Sequence, residues 1–231
     1  MPMYARDDAE AYRVLDRWEG GVGWQAFPEE GGQRTSHAVR GPDGGVWLVD
    51  PLDAPGVDDC YADLGEVAGV AVLADYHARD AAVFAERHGV PVTVPTGLDR
   101  VADRLDVPTE RATHSLAGFE LRRLNPLRAW RETVAYREAD GTLYVPDFFA
   151  GGPYTVGSER LSMRVFSRLF PPRETFADLD PERILLGHGA GVFEDADAAL
   201  EDAIDGARRR FPRALLTNGP MELKAMVDAL R

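Results

Sequence analysis

A single cysteine, Cys60, excludes an intrachain disulfide and the cross-linked framework of a small secreted domain. No run of 18 or more apolar residues occurs, so no helix suited to crossing a bilayer can be read from the sequence. The start, Met1 to Asp8, lacks an apolar stretch behind a basic head and does not read as a signal peptide. A cytoplasmic location is expected. Lysine is almost missing: Lys224 stands alone, and the other 25 of 26 basic residues are arginine. Basic residues are outnumbered by 39 acidic ones, for a formal net charge of -13. That field repels phosphate backbones and anionic headgroups, so neither nucleic acid nor a membrane is expected as a partner. Acidic pairs such as Asp7-Asp8 and Asp58-Asp59 give the chain a halophilic look, because strong screening makes dense charge tolerable.

Apolar residues make up 45% of the chain, enough for a substantial core. A length of 231 residues fits one domain, with pseudo-halves at about 20–112 and 113–215. The turn-rich first 35 residues read as a short helix and an exposed hairpin. Ser36 to Val39 and Val46 to Val49 read as strands joined through Gly41-Pro42-Asp43-Gly44-Gly45. Pro51 predicts extended backbone at Asp50. Val70 to Leu73 is short and continuously apolar, as in a strand buried on both faces. Asp80 is placed to cap a helix ending at His88-Gly89, and Val90 to Val94 reads as the next strand. In the second half, Phe119–Leu124, Thr133–Tyr136, Thr142–Val145 and Ile184–Leu186 read as strands. Helices are expected over about 158–170, from Asp195 or Asp197 to about Arg210, and from Met221 to Leu230.

Polar residues collect where apolar strands end. Asp75-Tyr76-His77-Ala78-Arg79-Asp80 follows Leu73, Asp147 follows Val145-Pro146, and His188 follows Leu186-Gly187. Loops at strand ends are held by rigid elements and can converge on one site. Carboxylates and imidazoles suit zinc, manganese or iron. By themselves these residues remain a scatter.

Four segments, in order, resemble the metallo-beta-lactamase superfamily, including its glyoxalase II-like hydrolases. They are Val46 to Pro51, Leu73 to Asp80 with the helix and strand behind it, Thr142 to Asp147, and Arg183 to Gly189. The resemblance implies an α+β fold, a four-layer αββα sandwich of two mixed sheets with helices outside. It also implies a metal motif that this chain alters. Asp75 stands at the first His of the HxHxDH pattern, His77 keeps the second, Arg79 replaces the Asp and Asp80 the last His. Asp147 matches the bridging Asp and His188 the final His. The family's intervening His is missing from Asn125 to Glu132, where Trp130 is placed to fill space.

His77, Asp147 and His188 are thus the retained metal positions, with Asp75 and Asp80 as possible oxygen donors. Arg79 cannot ligate as a cation and is suited to pairing with Asp75, Asp80 or Asp147. The leading expectation is a degenerate, non-catalytic domain without a cofactor, binding a small anionic molecule or a partner. The alternative is a hydrolase of an ester, thioester or amide with one Zn, Mn or Fe ion. A homodimer is compatible with either. His37 and His88 read as structural, and His114 as a link residue. Arg160, Arg164 and Arg168 recur every four residues and suggest one face of a helix, either solvated or turned to a negative ligand or a partner's acidic face. Arg122-Arg123 and the basic residues from Arg128 to Arg131 are candidates for binding an anion or pairing with carboxylates.

Overall fold

A computed structural model describes residues 3–127 and 130–229, so Arg128 and Ala129 lie outside the described residues. The first sheet has seven strands in sequence order: β1 (Arg13–Trp18), β2 (Gly21–Gln25), β3 (Ser36–Arg40), β4 (Val46–Val49), β5 (Val67–Ala71), β6 (Val92–Pro95) and β7 (Thr109–Ala112). Its first four strands pair antiparallel, and β4 to β7 pair parallel. The connection from β5 to β6 carries helix α1 (Ala81–His88), and α2 (Asp99–Ala102) precedes β7. In the second half come β8 (Ser115–Leu116), β9 (Phe119–Leu127), β10 (Trp130–Arg137), β11 (Thr142–Val145), β12 (Phe149–Ala150), β13 (Ser162–Met163) and β14 (Arg183–Leu186). Five of these form the second sheet in the order β14-β11-β10-β9-β8, with only β11 and β14 parallel, while β12 and β13 pair separately. The remaining helices are α3 (Arg173–Phe176), α4 (Ala196–Asp205), α5 (Ala207–Thr217) and α6 (Gly219–Ala229).

Period-two alternation sorts the strand residues into layers. Val46, Leu48, Val70 and Val92 face outward from the first sheet and pack with Phe84 and Ala85 of α1. Val49, Ala71, Ala135, Tyr144 and Leu185 face the other way and fill the space between the sheets. Val134, Leu143, Val145, Ile184 and Leu186 pack with Leu200 and Ala203 of α4 on the far side. The layers therefore run helix, sheet, sheet, helix. Each fully buried Leu or Ile contributes about 1.5–3 kcal/mol.

At one edge the sheets are joined by backbone. Thr133 N–H donates to Leu73 O at 2.8 Å and Asp75 N–H to Arg131 O at 3.0 Å. Thr35 N–H donates to Gly187 O at 2.9 Å and Gly189 N–H to Gln33 O at 2.8 Å.

Several local expectations are corrected. Residues 13–25 form a strand pair, and Trp24 is fully buried, with its indole N–H on Leu52 O. Asp50 has φ 46 rather than extended backbone, a conformation Asp tolerates better than most residues. The stretch 158–170 holds the short strand β13 and a 3-10 turn at Phe166–Leu169, because its arginines go to different partners. The helix after Asp195 breaks at Gly206 into α4 and α5.

Candidate functional site

Parallel pairing of β4 with β5 and of β11 with β14 brings the C-terminal ends of four strands to the joined edge. Asp50 leaves β4, His77 follows β5 and its extension, Asp147 leaves β11 and His188 leaves β14. The glycines beside His188 let it fit. A Cβ at Gly187 would lie 2.1 Å from Pro146 O, and Gly189 has φ 81 against Gly151 O.

His77, Asp147 and His188 converge while buried, each offering a ligand atom within 4.8 Å of the others. His77 Nε2 lies 3.3 Å and His188 Nε2 2.9 Å from Asp147 Oδ1. The opposite nitrogens are also engaged. His77 Nδ1 lies 2.8 Å from Asp50 Oδ2, and His188 Nδ1 lies 2.5 Å from Gly32 O. A carbonyl only accepts, so His188 donates from Nδ1. Asp50 is further held by Tyr144 Oη–H at 2.5 Å and Leu73 N–H at 2.9 Å.

The titration directions follow from burial and charge. Burial works against an ionised Asp147, but His77 and Arg164 and the imidazole hydrogen bonds hold its carboxyl well below the usual range. Burial and the Arg79 charge work against a cationic His77, and the Asp147 and Asp50 carboxylates outweigh them and raise its pKa. For His188 burial prevails and the pKa is lowered.

Three further residues surround Asp147. Arg164 Nη2 lies 3.1 Å from Oδ1, and Trp130 Nε1–H donates to Oδ2 at 3.0 Å. Arg164 also covers the Trp130 indole, 4.1 Å from its centroid, and Tyr76 stacks on the indole at 4.5 Å. Glu132 Oε2 accepts from the amides of Asp147 and Phe148 at 2.7 and 3.0 Å. Burial and then the Asp147 charge push the Glu132 carboxyl up to about 8.

The structure does not bring the other expected residues into this cluster. Asp75 is turned toward α2, where it accepts from Val101 N–H at 3.4 Å, because its backbone is tied to Arg131. Asp80 precedes α1 but accepts from Asp53 N–H at 2.8 Å and makes no side-chain cap. Arg79 does not pair with Asp75, Asp80 or Asp147. Its guanidinium donates to the carbonyls of Thr35 and Asp50 at 2.8 and 2.7 Å and of Gly187 at 3.1 Å. It has φ 42 and ties both sheets together below the site. His37 is a core residue against Tyr144, held neutral by burial at about 3. His88 lies by Tyr61 and Asp58, and His114 is exposed.

Sequence reasoning missed Glu132 and Tyr4 as site residues. It had Arg164 only within a helical arginine stripe that could face a negative ligand; the structure brings Arg164 alone of the three to Asp147. Tyr4 lies edge-on to His188 with centroids 6.5 Å apart, and burial pushes its hydroxyl up to about 12. Met3 O accepts from Gly32 N–H and Ala5 O from Arg34 Nη2, so the first described residues form a wall of the site. Tyr4, Asp147, Arg164, His188, Asn218 and Glu222 all border a cavity of about 60 Å³, room for a few atoms beyond a water.

The donor set suits one borderline ion: two imidazole nitrogens and a carboxylate oxygen, each imidazole oriented through its other nitrogen.

No family model matches the chain, and no curated protein matches it. Solved structures do. The DIM-1 metallo-beta-lactamase exposed to ceftazidime superposes with a TM-score of 0.60 at 14% identity, over 88% of this chain and 99% of that one. FIM-1 from Pseudomonas aeruginosa, in its mono-zinc form, gives 0.57 at 12%, over 88% and 98%. A metallo-beta-lactamase from Hirschia baltica gives 0.56 at 10%, over 86% and 98%. The chain has the metallo-beta-lactamase fold.

Proposed function

We propose that the chain is a hydrolase of the metallo-beta-lactamase fold working with one transition-metal ion, held by His77, His188 and Asp147. The support is the proton inventory at His188. Its Nδ1 hydrogen is spent on Gly32 O, and burial favours the neutral ring. The neutral ring then turns a bare Nε2 toward Asp147 Oδ1 at 2.9 Å. Two buried acceptors in contact are costly without a positive centre between them. His77 lies between two carboxylates, with Nδ1 on Asp50 and Nε2 toward the same oxygen, and without an ion these favour its protonated ring. An ion held there would supply Lewis acidity for hydrolysis of an ester, thioester or amide. Asp50 and Gly32 orient the imidazoles, Glu132 holds the backbone of Asp147, and Arg164 faces the cavity to receive an anionic group. FIM-1, which shares the fold, is described in a mono-zinc form, and this supports the reading.

A second reading, a metal-free binding domain, is favoured by Arg164 and Trp130, which engage both oxygens of Asp147. Elemental mass spectrometry on tag-free protein separates the two. The metal reading expects near-stoichiometric zinc, manganese or iron, lost in His188→Ala. Below about a tenth of an equivalent after loading, it fails.

A further inference from the structure

A second cavity, of about 410 Å³, opens between residues 96–98 and the paired strands β9 and β10. We propose that it binds a small oxyanion, the group shared by inorganic phosphate and simple carboxylates. It is separate from the cluster around Asp147. None of the residues lining it lines the cavity beside Asp147.

Two arginines line it, and among the described residues neither makes an ion pair. Arg123 Nη2 donates to Thr96 Oγ1 at 2.8 Å, and Arg131 Nη1 donates to Gly97 O at 3.3 Å. Each guanidinium keeps further N–H donors, the forked geometry that receives carboxylate and phosphate. Arg122, their neighbour, differs: it is spent on Asp178 and Glu120.

The cavity also holds an unmet hydrogen-bonding group. Thr133 is 1% exposed, lines the cavity, and its hydroxyl has no partner. It sits opposite Arg123 in the β9–β10 register, so both side chains stand on one face. A buried hydroxyl without a partner is uncommon and calls for one. Asn125 and Thr96 add polar groups to the wall. Glu132 borders the cavity, but alternation along β10 sends its carboxyl to the other face, with Oε2 on the amides of Asp147 and Phe148. Two guanidinium forks, a buried hydroxyl and an amide side chain therefore surround one space.

The test is isothermal titration of tag-free, metal-free protein with inorganic phosphate at low ionic strength, with acetate in a parallel arm. Saturable phosphate binding is expected, weakened about tenfold or more by Arg123→Gln or Arg131→Gln. Thr133→Val, which keeps the volume, should weaken it several-fold. Arg160→Gln, whose side chain donates to the carbonyls of Glu194 and Asp195 away from both cavities, should leave it within about twofold. Circular dichroism shows whether each variant is folded, and any one of the three cavity variants suffices. Displacement of phosphate by acetate extends the site to carboxylates; failure of acetate confines it to phosphate. Absence of saturable phosphate binding overturns the proposal. So does binding that survives all three cavity variants or is lost in Arg160→Gln alone.

Discussion

His188 Nε2 and Asp147 Oδ1 stand 2.9 Å apart, while the other nitrogen of the same ring is committed to Gly32 O. The partner behind each imidazole therefore governs affinity for a cation. Asp50→Asn should weaken zinc binding about 10–100-fold, the usual effect of removing a carboxylate behind a ligating His. Competition with a chromogenic chelator measures it. Equal affinity in wild type and variant would count against the assignment.

Arg164 places a positive charge 3.1 Å from the oxygen that an ion would share. Arg164→Gln removes this competition, and zinc affinity should rise by well over tenfold, since even unit charges about 4 Å apart repel by about 4 kcal/mol at an effective dielectric near 20. Any hydrolysis of small anionic esters should show a higher KM in the same variant. If Arg164 instead replaces the ion, zinc uptake stays negligible and the thermal midpoint falls.

Arg79 holds three buried carbonyls contributed by both halves of the sandwich. Arg79→Ala should destabilise the fold by roughly 3 kcal/mol, since charged hydrogen bonds are lost and acceptors stranded. Arg79→Lys should rescue little, because an ammonium cannot span three acceptors in one plane. Urea denaturation gives both values, and equal midpoints for wild type and Arg79→Ala would refute the role.

Asp16 is buried, and burial moves its carboxyl from 3.8 to about 6 despite the hydrogen bond from Gly191 N–H. Between about pH 4 and pH 6 the folded chain keeps a proton that the unfolded chain releases, so stability falls as pH rises and stays lower above that window. Asp16→Asn keeps an acceptor for Gly191 and should be more stable than wild type by roughly 1–3 kcal/mol at pH 7.5. The difference should vanish near pH 4. His37, whose Nε2 lies 4.0 Å from Asp16 Oδ2, acts oppositely and loses stability on acidification in both proteins.

The apolar strands could be read from the sequence because a strand buried on both faces has little choice of composition. Val46–Val49, Thr142–Val145 and Arg183–Leu186 match runs visible in it. The arginine spacing misled for a physical reason. Arg160 donates to the carbonyls of Glu194 and Asp195, Arg164 to Asp147, and fully buried Arg168 to Glu159. Three such partners cannot lie along one helical face. Asp75 could be matched to a family pattern, but pairing of its backbone with Arg131 turns the side chain away. Glu132 could not be found at all, because an acid in an alternating strand reads as solvent-facing until its buried partners are known.

Tyr4 stands against His188, and the backbone on either side of it is pinned to Gly32 and Arg34. Met3, Tyr4 and Ala5 are thus masonry around the histidine–carboxylate cluster rather than a loose thread. A change that loosens these three residues would disturb the chamber itself, and assays on such variants would report a shifted wall along with the protein's chemistry.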